Sequence, residues 1–214
     1  MKKQISSALF FLLPFFSLLS EEIQTEQFVN IDEAILTKIM HSRHSGYEFD
    51  SARTIKPEVV AHLTKFARLA PSSYNEQPWR FIFADRKENP EAYAKVLGSL
   101  VEFNQNWAKN APLLIVVAAR SAFTKSDKIN SVASYDTGAA SMSLVLGATS
   151  MGLMAHQMAG FDADQIQRKF KIPEGFIPLA VIAVGYESED APPNLKTRNE
   201  VSQNFFIGTW EKEL

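Results

Sequence analysis

The 214-residue sequence has no cysteine. Disulfides, thiolate catalysis and Cys-ligated metals or clusters are therefore excluded. Histidine is scarce, at four residues. His41 and His44 have no His-rich partner segment, so no metal site is expected. The nine glycines never fall as G-x-G-x-x-G or as a P-loop, so neither phosphate-cradling fingerprint is present. Net charge is −2, which gives no bulk electrostatic case for nucleic acid. Ala148-x-Ser150-x-Gly152 has the spacing of a nucleophile elbow. A small-residue helix precedes it instead of a strand, so the triplet is read as helix packing.

Present instead is an N-terminal segment unlike the rest. Lys2 and Lys3 precede an apolar run from Ala8 to Leu19, and Ser20 and Glu21-Glu22 follow. That order fits a secretory signal peptide over residues 1–20, and the run is short for a membrane span. An uncleaved anchor is the alternative. Export (periplasmic or secreted) is expected if the signal is real, and a cytoplasmic location otherwise. One domain is expected over 21–214.

Hydrophobic periodicity orders that domain. Asn30 and Glu33 form a capping-box pattern ahead of a helix carrying Ile31, Ala34, Ile35 and Ile39, which Gly46 ends. A helix runs from Pro57 to Ala70, a strand from Trp79 to Ala84, and a helix from Pro90 to Val101. Pro112 opens a strand, Leu113 to Ala119, whose unbroken apolar run predicts burial on both faces. A polar loop spans Thr124 to Ser134. Tyr135 to Gly152 lacks a polar face and predicts a central buried helix. A short strand at 153–158, a helix capped by Asp162, and a strand at 178–186 complete a mixed α/β layer fold.

Several clusters carry ligand-binding chemistry. Arg43-His44-Ser45 puts a cation, an imidazole and a hydroxyl where a helix ends, which suits phosphate as well as helix capping. Pro71-Ser72-Ser73-Tyr74-Asn75-Glu76-Gln77-Pro78-Trp79 is stiffened by proline and rich in groups that donate and accept. Met158-Ala159-Gly160-Phe161-Asp162 forms a turn, and Lys196-x-Arg198 adds two cations to the tail. In this order and at these separations, over residues 35–200, the set resembles the nitroreductase family of FMN-dependent oxidoreductases.

The resemblance implies an α/β (α+β) nitroreductase-like fold with a central, mainly antiparallel sheet flanked by helices. It implies a homodimer with C-terminal arm exchange, which would cover Phe205, Phe206, Ile207 and Trp210. By resemblance, Arg43, His44 and Ser45 with Lys196 and Arg198 hold the FMN phosphate and ribityl region. Ser72, Ser73 and Asn75, with Gln77, come from the opposing subunit, and Asn75 reaches the pyrimidine edge. Met158, Ala159 and Gly160 line the turn that gives backbone N–H groups to flavin N5 and O4. Tyr47 stands where relatives often carry a lysine facing the ring. No catalytic side chain is required, since the chemistry is at N5 of FMN. The implied reaction is ping-pong, from NAD(P)H to a nitroaromatic, quinone or related small-molecule electron acceptor. Phe103 to Trp107 and the 124–134 loop are expected to frame the acceptor pocket. A substrate-specific flavin dehydrogenase or dehalogenase, and a secreted flavin-binding protein without turnover, are the alternatives.

Overall fold

A computed structural model describes residues 33–193 and 196–214. The expected leader and Asn30 of the capping box lie outside the described residues. Among the described residues no helix is long and apolar enough to cross a membrane.

The run after Pro112 forms β2 (Leu113–Arg120), which is buried along nearly its whole length. It sits inside a four-stranded sheet with β1 (Trp79–Asp85), β3 (Met154–Met158) and β4 (Phe176–Gly185), in the order β1-β2-β4-β3. Every neighbouring pair is antiparallel. The two-residue period of a strand divides the core. Leu114 and Val116 pack with Val181 and Ala183 on one face, and Leu113, Ile115 and Val117 pack with Ile182 and Val184 on the other. The β2–β4 register slips between Val117 and Ala118, beside the Ala118–Pro178 pair. Proline has no N–H for a ladder, and a bulge is where a sheet tolerates it.

Helices cover both faces. Leu63 and Ala67 of α2 (Pro57–Ala67) pack with Leu144, Val145 and Ala148 of α5 (Ala133–Ser150). Tyr93 and Val96 of α3 (Pro90–Leu97), Trp107 of α4 (Glu102–Ala108) and Ile166 of α6 (Ala163–Phe170) fill the opposite layer. Each fully buried Leu, Ile or Val contributes roughly 1.5–3 kcal/mol of transfer free energy. α5 has the central, buried character expected of it. Its Ser141 Oγ donates to the Thr137 carbonyl, which lets hydroxyls sit in the core.

Three expectations need correction. The single helix over 90–101 is two, because Gly98 caps α3 and the chain then turns to pair Leu100 with Phe161 before α4 begins. The helix after Pro57 ends at Ala67, three residues short of the expected Ala70, in a turn closed by Ala70 N–H to the Ala67 carbonyl. The tail is not wholly irregular: it holds the turn-length helix α7 (Val201–Asn204) and an antiparallel bridge between Phe206 and Glu213. The first helix, α1 (Glu33–Ser42), ends four residues before Gly46 and has no buried residue. Its Ile35, Leu36 and Met40 are exposed, as are Phe205, Ile207 and Trp210 of the tail.

Candidate active site

The end of α1 and the tail meet in a cationic corner. Lys196 donates from Nζ to the His41 carbonyl at 2.9 Å. Burial first, and then the neighbouring Arg43 and Arg198 cations, hold the Lys196 ammonium below the usual lysine range. Among the described residues no carboxylate ion-pairs with any of the three. Arg43 Nη1 lies 3.5 Å from Ser45 Oγ, so that hydroxyl belongs to the same corner. Three crowded cations and a hydroxyl without a counter-charge suit a phosphate dianion.

His44 lies beside the corner and is used differently. Its Nδ1 faces the Ser42 carbonyl at 2.9 Å and its Nε2 faces Glu187 Oε1 at 2.6 Å. The ring therefore bridges a backbone carbonyl and a carboxylate. The ring fixes the segment from 42 to 46 against the chain just after β4. Glu187 drew no notice in the sequence because a lone carboxylate after a strand carries no spacing signal.

Residues 72–77 form a separate wall. A 3-10 turn at Ser73–Asn75 opens it, and Tyr74, Asn75 and Gln77 all have φ near +50°. Non-glycine residues seldom hold that conformation without support. Here the Ser73 N–H donates to Oδ2 of buried Asp136 at 3.0 Å, the Gln77 N–H to Ser72 Oγ at 2.9 Å, and the Gln77 side-chain amide to Asn75 Oδ1 at 3.3 Å. Glu76 Oε1 accepts from the Thr124 N–H at 2.7 Å and from the Thr124 hydroxyl. Those two bonds hold the Glu76 carboxyl below the usual range, against a smaller opposing effect of burial. Asp136 and Glu76 escaped sequence reasoning because their partners are 63 and 48 residues away. Among the described residues no hydrogen bond, ion pair or ring contact links this wall to the cationic corner.

The 158–160 turn follows β3. Met158 is buried in the core, so its side chain cannot serve as a ligand contact and only its backbone remains available. Ala159 is exposed, and neither its N–H nor that of Gly160 forms a hydrogen bond among the described residues. The Gly160 carbonyl is held by the Val101 N–H and by Asn104 Nδ2, each at 3.0 Å. A Cβ on Gly160 would lie 2.7 Å from Asn104 Nδ2, so glycine is required for this close approach.

Tyr47 meets an aromatic cluster. Its ring stands edge-on to Trp107 at 5.2 Å and to Phe103 at 6.0 Å, and lies 5.0 Å from His156. Burial pushes the His156 imidazole below its ordinary value, so this side of the corner is neutral. Within a single copy, the cleft that the 124–134 loop lines does not include Phe103 to Trp107. Trp107 is in the core and Asn104 is tied to Gly160; only Phe103 and Asn106 of this stretch are well exposed. The loop instead lines a cleft with Tyr74, Asn75 and Glu76. Among the described residues no group of three or more His, Asp or Glu could hold a metal ion.

A protein of Methanothermobacter thermautotrophicus, assigned provisionally as an NADH dehydrogenase/NAD(P)H nitroreductase, is 31% identical over 144 residues, 64% of this chain and 70% of its own length. The oxygen-insensitive NAD(P)H nitroreductase of Enterobacter cloacae is 25% identical over 186 residues, 68% of this chain and 86% of that protein. The crystal structure of an oxidoreductase containing FMN superposes with a TM-score of 0.74 at 30% identity, covering 82% of this chain and 92% of that one. The nitroreductase family model matches residues 40–186, from the end of α1 to the residue after β4. With that match spanning the sheet, Arg43 and Ser45, the 72–77 wall and the Gly160 turn, this chain belongs to the nitroreductase family.

Proposed function

We propose that this chain is a flavoenzyme in which one 21–214 domain holds FMN at the Arg43–Lys196–Arg198 corner, and the 72–77 wall of a second copy completes the site. It passes two electrons from NAD(P)H to nitroaromatic, quinone or related acceptors, and the donor leaves before the acceptor enters. The observation that carries this reading is the corner itself: three crowded cations, one of them partly buried, with no carboxylate paired to any among the described residues. A relative of 30% identity contains FMN, and the residues here suit that group.

FMN, when bound, supplies a two-electron carrier. The chain's own residues bind and orient. The Arg43 fork and the Lys196 ammonium take phosphate oxygens, Arg198 adds charge, and Ser45 Oγ supplies a hydroxyl donor. The Ala159 and Gly160 N–H groups offer donors held in place through Asn104. Asn75 offers a carboxamide that both donates and accepts, suited to a pyrimidine edge. Donors fixed in advance toward a ring that gains negative charge stabilise that charge without reorganisation. Exposed apolar groups on α1 and the tail supply a surface for the second copy.

The test is an anaerobic absorbance titration of purified protein with NADH and NADPH. A yellow protein that bleaches and recovers its colour with a nitroaromatic or quinone is expected. A colourless protein that takes up no added FMN refutes the reading. Tyr47 favours one second reading, a flavin-binding protein without NAD(P)H turnover, since the neutral aromatic cluster gives the ring no cation. A bound flavin that NAD(P)H leaves oxidised would select it. A panel of acceptors separates a broad reductase from a substrate-specific dehydrogenase or dehalogenase. Export depends on residues 1–20 acting as a leader, which N-terminal sequencing of the mature protein decides.

A further inference from the structure

The cleft between the 72–77 wall and the loop after β2 has a volume of about 750 Å³, the size of a small-ligand site. Two features give it a chemical character. Tyr74 and Phe123 stand edge to face with ring centroids 5.9 Å apart, and Ile129 is exposed beside them. These are flat apolar surfaces open to a planar guest. Lys125 and Lys128 also line the cleft, and neither ammonium has an ion-pair partner among the described residues. The carboxylates nearby are already engaged. Glu76 is bonded twice to Thr124, and Asp127 pairs with Arg120 Nη2 at 3.6 Å. Arg120 Nη1 also donates to Thr124 Oγ1 at 2.8 Å, so one guanidinium ties both contacts together. The clamp fixes the loop to the wall and leaves the two lysines as uncompensated charge.

We propose that this cleft is the acceptor subsite and that it selects planar aromatic or quinonoid acceptors carrying a negative charge, such as a ring carboxylate or sulfonate. The inference rests on the FMN reading, because Asn75 is the residue common to the cleft and to the flavin wall. The ring of the acceptor lies against Tyr74 and Phe123, and Lys125 and Lys128 meet its anionic substituent at the solvent end.

The test uses full-length FMN-loaded protein and two redox-inert probes, naphthalene-2-carboxylate and naphthalene-2-carboxamide. Retained FMN is first measured by absorbance, and each probe is then titrated calorimetrically at low salt. Two exposed ion pairs predict that the carboxylate binds roughly five-fold tighter, with the margin shrinking as salt is raised. The K125E/K128E double variant is expected to bind the carboxylate more weakly than the carboxamide. Equal affinities in the wild-type protein overturn the proposal, as does equal weakening of both probes in the variant. A variant that raises the KM for NADPH and leaves naphthoate affinity unchanged also overturns it, since the cations then serve the donor. Protein without FMN refutes the FMN reading and this inference together; protein with FMN and no preference between probes refutes this inference alone.

Discussion

Lys196→Met removes the charge from the cationic corner while keeping most of the side-chain volume. Two effects on the flavin-free protein oppose each other. The bond from Nζ to the His41 carbonyl is lost, but that carbonyl is on an exposed residue and regains water. Crowding by Arg43 and Arg198 is relieved, and at a largely solvated site that relief is worth a few tenths of a kcal/mol. The two nearly cancel, so the flavin-free melting temperature should move by no more than about 1 °C. FMN binding has no such compensation. Loss of one charge-assisted hydrogen bond to phosphate costs roughly 1.5–3 kcal/mol, or about 10- to 150-fold in affinity. Flavin fluorescence quenching measures the affinity directly. Thermal melts with and without saturating FMN measure it again, because the ligand-induced rise in melting temperature tracks affinity. The pH dependence has a definite sign. The Lys196 pKa is depressed in the fold, so its penalty on stability is fully present below that depressed value and disappears as pH rises to the ordinary lysine value. Wild-type FMN affinity should therefore weaken on the alkaline side before a normal lysine would titrate, and Lys196→Arg should remove that limb. Affinity within threefold of wild type in Lys196→Met would refute the phosphate assignment. A flavin-free variant melting more than about 5 °C lower would show that Lys196 is structural instead.

The Tyr93 hydroxyl lies 2.7 Å from the Ala111 carbonyl and 3.1 Å from those of Ala108 and Lys109, and burial pushes its pKa to about 12. Its stabilising contribution is complete below pH 10 and lost as pH rises toward 12, so alkaline denaturation should steepen there. Tyr93→Phe should cost about 1 kcal/mol at neutral pH and flatten that alkaline limb, with urea unfolding as the measurement. Phe206 and Trp210 stack at 4.8 Å on the exposed tail. If the tail covers a second copy, Trp210→Ser should shift sedimentation toward monomer and weaken FMN binding; a wild-type protein that sediments as a monomer at micromolar concentration would refute the shared site.

The sheet was legible because β2 states its burial outright: an apolar run bounded by Pro112 has few other homes than a strand covered on both faces. The central helix was legible for the same reason, since the span from Tyr135 to Gly152 has no polar face. The split between α3 and α4 was hidden, because Gly98 reads equally as a tolerated helical glycine and as a cap, and the deciding contact is with Phe161, over 60 residues away. At the site, the spacing of Arg43, Ser45, Asn75, Gly160 and Lys196 carried the family resemblance, while their supports were silent. Asp136, Glu76, Asn104 and Glu187 act through long-range contacts that no local pattern encodes. Met158 shows the converse case, a residue expected beside the flavin whose side chain belongs to the core.

The left-handed backbone at Tyr74, Asn75 and Gln77 bears on binding entropy. Each such residue opposes folding by about 1–2 kcal/mol relative to an ordinary conformation, and the hydrogen bonds accepted by Asp136 and Ser72 and donated by Thr124 offset that cost at the time of folding. The wall therefore has its shape before any guest arrives, and a ligand bound there need not spend its own contact energy on ordering residues 72–77. Glycine at any of the three positions would relieve the backbone and raise stability, yet it would return disorder to the surface proposed to meet the ligand. A screen for thermostable variants would then favour, at these positions, the substitutions that bind least well.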